Sequence, residues 1–566
     1  MPKIDVNEEL FFKALGRRFE KPGLVELLTA AKAELDDWPE GQGVLRIELN
    51  DTNRPDLWST LGLARQLSTY LTGKAPVYPF FSRAGDAKPT ADRRVVVDAG
   101  LKTIRPFIAS FVAEGREVTD ALLREIIQSQ EKLCGNFGRK RKMIAMGVSR
   151  ADLVSWPVRY SAADPDATKF VPLDFERPLS MREILTVHPK GKEYGPLVAG
   201  FPRFPLLADG KGEVLTFPPV INSALIGGVK PGDRRLFIDL TGPDLDIILT
   251  ACAIAACDFA DMGFTIQPVA VEYPWETPRG RKIVTPFSFQ RETTVEIAEA
   301  QKRLGEAFSA EQAAAAIRRM GSGARVEGSR LVVTPPVYRN DFLHAVDAME
   351  EIMIGRGMET FTPIMPRDFT VGRISPEEEY GRRVRESMIG LGYQEMIYGY
   401  LGSRKDFVEK MRIDPSEVIE IANPMTESFD IVRNSIIPNL LASEAQSAHA
   451  TYPHRIFEIG KVVVRDAAEN YGSRTHNALA FLVADRTAGF NEVDAHLRAL
   501  FYYLSVEPRQ APAEDPRFIP GRGALIMVKG RRVGIMGEVH PQCLENWGIE
   551  MPCAVVEISL DDVRRE

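Results

Sequence analysis

Four carboxylates stand close together in the segment Tyr338-Arg-Asn-Asp-Phe-Leu-His-Ala-Val-Asp-Ala-Met-Glu-Glu351. A helix starting near Phe342 places Asp347, Glu350 and Glu351 at i, i+3 and i+4, on one face, with Asp341 at its start. Phe342, Val346, Met349 and Met353 then form a separate apolar stripe. Like charges within one turn repel by a few tenths of a kcal/mol per close pair, roughly. A divalent cation removes that penalty. Mg²⁺ keeps several waters and takes only one or two carboxylates directly, so some of the four would act through water. Spacing alone describes a solvated acidic face just as well, and more often.

A second candidate is the basic run in Gln130-Glu-Lys-Leu-Cys-Gly-Asn-Phe-Gly-Arg-Lys-Arg-Lys142. Consecutive cations after a glycine favour anion contact, such as the phosphates of an RNA end, and a solvated charge run is the even alternative. Asn53-Arg54-Pro55-Asp56 reads as a turn feeding a helix with Ser59 and Thr60 at its start. Cys252 and Cys257 have no second pair to complete a zinc site.

The elements that must position these groups belong to a soluble, multi-domain chain. Its 566 residues exceed one core, and roughly 150 residues per domain suggests about three or four. Hydrophobic residues make up 44% and charged ones 26%, as in globular proteins. No stretch approaches the roughly 18 apolar residues of a membrane span, and the N-terminus lacks signal-peptide order. Scattered cysteines favour a reducing compartment, with cytoplasm as the expectation. A net charge of −7 argues against coating nucleic acid by bulk electrostatics.

A Pro/Gly cluster between residues 76 and 90 marks a first boundary, and Glu272-Tyr-Pro-Trp-Glu-Thr-Pro-Arg-Gly-Arg281 reads as a second linker. Between them, strands are predicted at Val95 and at 236–240, and helices over 119–133 and 244–261. Ser309-Ala-Glu-Gln312 has capping-box spacing, with Gly321 as the stop. From about residue 367, helices and strands alternate, including strands from Arg455 and Arg532.

The 338–351 segment resembles the B5 module of phenylalanyl-tRNA synthetase beta chains of the archaeal/eukaryotic type. In that module an Arg-x-Asp, an Asp six residues on and an acidic pair hold Mg²⁺. Asp341, Asp347, Glu350 and Glu351 match position by position, although Gly355-Arg-Gly357 replaces the usual Gly-Tyr. The segment 48–65 is similar to the family's early motif. The order of 130–142, 188–194, 217–223 and 237–242 resembles a B3/B4 domain that hydrolyses tyrosine wrongly joined to tRNA(Phe). The resemblance implies an editing pocket of Gln130, Arg141, Leu207, Thr216, Asn222, Asp239 and Thr241. Thr216 stands where serine is expected, and Ser149-Arg150 where an acidic loop is usual. These residues include no nucleophile–base pair, which implies hydrolysis by a positioned water.

The implied fold is α/β and α+β, in four parts: an N-terminal module (1–85), a B3/B4 editing domain (90–272), a helix-turn-helix-like B5 module (285–362) and a degenerate class II antiparallel-sheet core (365–566). That core has only Arg433 and Arg455 as candidates for motif 2, and lacks the later glycine–arginine pattern. Ile436, Ile437, Leu440 and Leu441 are candidates for packing against an alpha chain, or are ordinary core. The implied activity is ATP-dependent joining of phenylalanine to tRNA(Phe), with that chemistry on the alpha subunit of an α2β2 assembly. A free-standing editing hydrolase and a non-catalytic Mg²⁺-dependent RNA-binding scaffold are the alternatives.

Overall fold

The computed structural model describes residues 2–81 and 93–564. The first expected boundary, at residues 85–90, lies outside them. The chain divides into two compact units, Met1–Met365 and Pro366–Glu566.

The first unit opens with an antiparallel sheet in which Val44–Leu49 lies between Lys3–Asn7 and Ala33–Asp37. The Arg54-Pro55-Asp56 turn leads into the helix Thr60–Thr72. Ser59 caps that helix by accepting the Gly62 N–H, and Gly73 ends it in the left-handed region (φ 68°).

A ten-stranded sheet follows. Its path runs Ile221–Asn222, Val214–Phe217, Phe204–Ala208, Val158–Ala163, Arg94–Val97, Thr265–Glu272, Phe107–Glu114, Arg235–Gly242 and Ala145–Arg150. The tenth strand, Lys282–Thr285, pairs with Thr265–Glu272. The expected linker at 272–281 is therefore a hairpin connection, and the Thr285 hydroxyl bonds both the N–H and the C=O of Ser110 (3.0 and 2.7 Å). The two ends of the path meet: the Asn222 side-chain amide donates to Val148 O (3.3 Å), and Arg150 N–H to Ile226 O (2.8 Å). The sheet thus curls on itself. The buried helix Leu245–Asp261, capped by Asp244, packs on one side of it. A β-carbon on Gly242 would meet Ile248 of that helix at 2.7 Å. By the period-2 alternation of a strand, Asp239 and Thr241 face the other side.

The last part of this unit places Arg330–Thr334 between Thr293–Glu296 and Gly323–Glu327. Ser309 and Gln312 form the expected reciprocal cap of the helix Ala310–Arg319. The acidic helix is Ala345–Arg356, three residues later than the start near Phe342 read from the sequence. His344 is its N-cap and Asp347 completes a capping box. Phe342 accordingly precedes the helix. Its buried side is Ala348, Met349 and Ile352, while Val346 is exposed.

In the second unit a seven-stranded sheet carries His454–Arg465, Ser473–Ala484, Cys553–Ser559, Arg531–Val539 and Phe518–Val528 as consecutive antiparallel neighbours. The helices Pro376–Gly390 and Phe490–Tyr503 contribute Val384, Met388, Leu497 and Phe501 to the core on one face. The helix Ile437–Gln446 packs on the other.

Candidate functional site

The inner face of the curled sheet gathers the residues of the expected pocket around the strand Ala145–Arg150. Asp239 lies between Gly147 on that strand and Ser110 on the other side. Thr241 pairs with Ala145. Leu207 stands opposite Thr216, and Thr216 opposite Asn222, whose amide reaches Val148 O. Gln130, on the helix Asp120–Lys132, donates to Met146 O. Arg141 donates to Pro219 O and Val220 O (3.0 and 2.9 Å) and lies 4.2 Å over the Tyr194 ring.

Electrostatics here are set by burial. Asp239 is 1% exposed, and its Oδ1 has no hydrogen-bond partner. With no counter-charge to offset desolvation, its carboxyl is pushed up to about 7. Gly147 makes room for it, since a β-carbon there would lie 2.4 Å from Asp239 Oδ1.

Arg105 and Ser110 were not picked out from the sequence, and Ser149 only as a departure from the usual acidic loop. Arg105 is buried and donates to the Thr241 hydroxyl (2.9 Å), to Thr241 O and to the carbonyls of Arg141 and Lys142. It has no carboxylate partner among the described residues, and burial lowers its pKa. The hydroxyls of Ser110 and Ser149 are buried without partners on the Asp239 side of the sheet. No spacing pattern marks any of the three, since each gains its meaning from strand register. Neither serine hydroxyl has a hydrogen-bond partner, so this face of the sheet offers amides, hydroxyls and a buried carboxyl with a raised pKa, with no activated nucleophile.

The four acids of the 338–351 segment are placed differently from the sequence expectation. Arg339 takes Asp341 through Nε (2.9 Å) and Glu351 through two nitrogens (2.9 and 3.1 Å). Asp347 accepts the Leu343 and His344 N–H groups on a single oxygen. Glu350 points instead to Lys32 (2.7 Å). Among the described residues no three such side chains converge as a metal-binding group. The donors have the hard-oxygen chemistry of Mg²⁺, but in this arrangement two of them are bound by a guanidinium.

That guanidinium belongs to a buried ionic network. Arg54 grips Asp56 with two bonds of 2.8 Å, bonds Gln66 (2.9 Å) and lies 3.9 Å from Glu351. Arg65 reaches Asp258 and Asp261 (3.2 and 2.6 Å) and stacks 4.3 Å over Tyr338. The Asn53–Asp56 turn and the acidic segment, far apart in sequence, are halves of one joint inside the first unit.

In the second unit, Arg433 is fully buried and held by both oxygens of Glu458 (2.9 and 3.0 Å). Arg455 pairs with Glu492 (3.0 Å). Ile436, Ile437, Leu440 and Leu441 are buried in the unit's own core. As core residues they supply no docking stripe for a partner.

Two family models match: "tRNA synthetase B5 domain" over residues 293–358 and "Phenylalanyl tRNA synthetase beta chain CLM domain" over 362–560. The phenylalanine–tRNA ligase beta subunit of Borreliella burgdorferi (strain ZS7) is 44% identical over 563 residues, 99% of each chain. That of Borrelia turicatae (strain 91E135) is 44% identical over 562 residues, again 99% of each. A solved N-terminal fragment of the phenylalanyl-tRNA synthetase beta subunit from Pyrococcus horikoshii matches with a TM-score of 0.58 and 33% identity, covering 63% of this chain and all of the fragment.

Proposed function

The chain belongs to the phenylalanine–tRNA ligase beta-subunit family, and from that premise we propose that its own chemistry is hydrolytic editing of Tyr-tRNA(Phe). Charging of tRNA(Phe) with phenylalanine and ATP is then carried by an alpha subunit, in a cytoplasmic α2β2 assembly. The observation that carries the editing reading is Asp239, buried with its Oδ1 unpartnered on the same curled sheet that sets Thr216 opposite Asn222 and Thr241 opposite Ala145. A pocket made for phenylalanine rejects an added hydroxyl weakly, whereas a second site that hydrogen-bonds that hydroxyl selects the error. With no nucleophile–base pair, the pocket works by holding the ester and one water in place. The commitment of Arg433 and Arg455 to carboxylates supports a second unit with the class II fold and no ATP chemistry. The archaeal/eukaryotic type is part of the same proposal. It is supported by the match along the whole Pyrococcus fragment, although the relatives named above are bacterial.

Magnesium is proposed at the 338–351 acids. Glu350, on a half-exposed lysine, and Asp347, with one oxygen on backbone amides, are the donors a hydrated cation would take first; Asp341 and Glu351 would act through water beside Arg339. Calorimetry of Mg²⁺ into the alpha–beta complex checks this. Heat that disappears in Glu350→Gln is expected, and equal heats in both would remove the site.

Co-expression with an alpha chain tests the assembly. Equal recovery of both chains, with phenylalanine attachment only when both are present, is expected. A lone beta chain that is monomeric and fully active on Tyr-tRNA(Phe) would instead favour a free-standing hydrolase.

A further inference from the structure

Arg139, Lys140 and Arg141 have φ of 49°, 52° and 64°. They form three successive non-glycine residues in the left-handed region, where a β-carbon is sterically disfavoured and single glycines or asparagines are the usual occupants. The run follows the π-helical segment Leu133–Phe137. Its backbone is fully used: Arg139, Lys140 and Arg141 donate to Asn136 O, Gly135 O and Cys134 O (3.0, 2.8 and 2.9 Å). Buried Arg105 holds the turn from beneath through the Arg141 and Lys142 carbonyls, and Arg141 fastens it to Pro219 and Val220.

The side chains displayed at this cost are cations. Arg139, Lys140 and Lys142 are exposed, and none has a carboxylate partner among the described residues. A turn needed only for shape would take glycine at no steric cost. Strained residues held in place by surrounding bonds, beside the strands that carry Asn222 and Thr241, point to a ligand. The adjacent Arg141 bonds Pro219 O and Val220 O, next to the strand Ile221–Asn222 that carries Asn222, so the free cations stand on a turn fastened beside that strand.

We propose that the 139–142 turn is a rigid phosphate clamp that holds the sugar–phosphate backbone of an RNA strand whose end enters the Asp239 pocket. This rests on the editing reading for the identity of the strand. Three cations on a fixed backbone suit successive phosphates, and a turn ordered in advance lowers the ordering cost of binding. The clamp positions substrate and touches no reacting atom.

The test uses the full alpha–beta complex carrying Arg139→Gly and Lys140→Gly. Both changes remove charge and relieve left-handed strain, so the variant folds and its Tm rises by a few degrees, roughly. The KM for Tyr-tRNA(Phe) hydrolysis is expected to rise about three- to tenfold at unchanged kcat, and the salt slope of log KM to fall by roughly 0.7 per lost phosphate contact. Arg139→Lys with Lys140→Arg should restore both. An unchanged KM and slope in the glycine variant would overturn the clamp. Equilibrium binding of tRNA(Phe) over the same salt series needs no hydrolysis, and an unaltered slope there counts equally against it. Loss of activity in Asp239→Ala reports on the pocket separately: a pocket that fails this check while the glycine variant still shifts the slope sinks the editing reading and not the clamp.

Discussion

Asp239 ionises only at the expense of its burial, and this fixes the sign of its pH dependence. The unfolded chain releases the proton near 3.8 and the folded chain near 7. The folded state is therefore favoured in full below the lower value, and that contribution is lost as pH rises through the upper one. Asp239→Asn is expected to be more stable than the parent at pH 8 by about 2–4 kcal/mol, and little different at pH 4, in urea unfolding at the two pH values. Glu125 and Asp258 are raised to about 7 and 6 by the same cause, so the difference between variant and parent is the quantity to read. Arg339 behaves in the opposite way. Its removal leaves Asp341 and Glu351 buried without a counter-charge, and Arg339→Met is expected to cost about 3–5 kcal/mol. Lys32→Met, which breaks a half-exposed pair with Glu350, should cost at most about 1 kcal/mol in the same denaturation series.

At the scale of elements, the helices over 119–133 and 244–261 and the 309–312 cap were legible because periodicity and capping chemistry are local. The start of the acidic helix was misread: Leu343 and His344 give their amides to Asp347 from an extended approach, a cap geometry that resembles a helical turn in sequence. Strand register was not legible at all. Gly147, Ser110 and Ser149 join the pocket only through pairing with Arg235–Gly242, and Arg105 only through a bond to Thr241. The acids of 338–351 were found by spacing; Arg339, inside the same segment, takes Asp341 and Glu351, whereas the pairing of Glu350 with Lys32 depends on a contact with a part of the chain far away in sequence. Register also gives Gly147→Ala a definite outcome. The new methyl overlaps Asp239 Oδ1, so a loss of roughly 1–3 kcal/mol is expected in thermal unfolding, together with reduced Tyr-tRNA(Phe) hydrolysis.

For the whole molecule, the 338–351 segment, besides carrying the proposed Mg²⁺ site, serves as an internal joint. Arg54, Arg65 and Arg339 tie the 53–56 turn with the helix Thr60–Thr72, the helix Leu245–Asp261 and the acidic helix into the first unit. No helix among the described residues is long and apolar enough to cross a membrane. The second unit keeps a seven-stranded sheet whose best-placed arginines are neutralised, which agrees with a division of labour between two chains. The central claim is that this chain edits, and hydrolysis of Tyr-tRNA(Phe) by the alpha–beta complex carrying Asp239→Ala tests it most directly. A fall on the order of a hundredfold relative to the parent complex, with phenylalanine attachment unchanged, is the expected result. Hydrolysis at the parental rate in that variant would contradict the account.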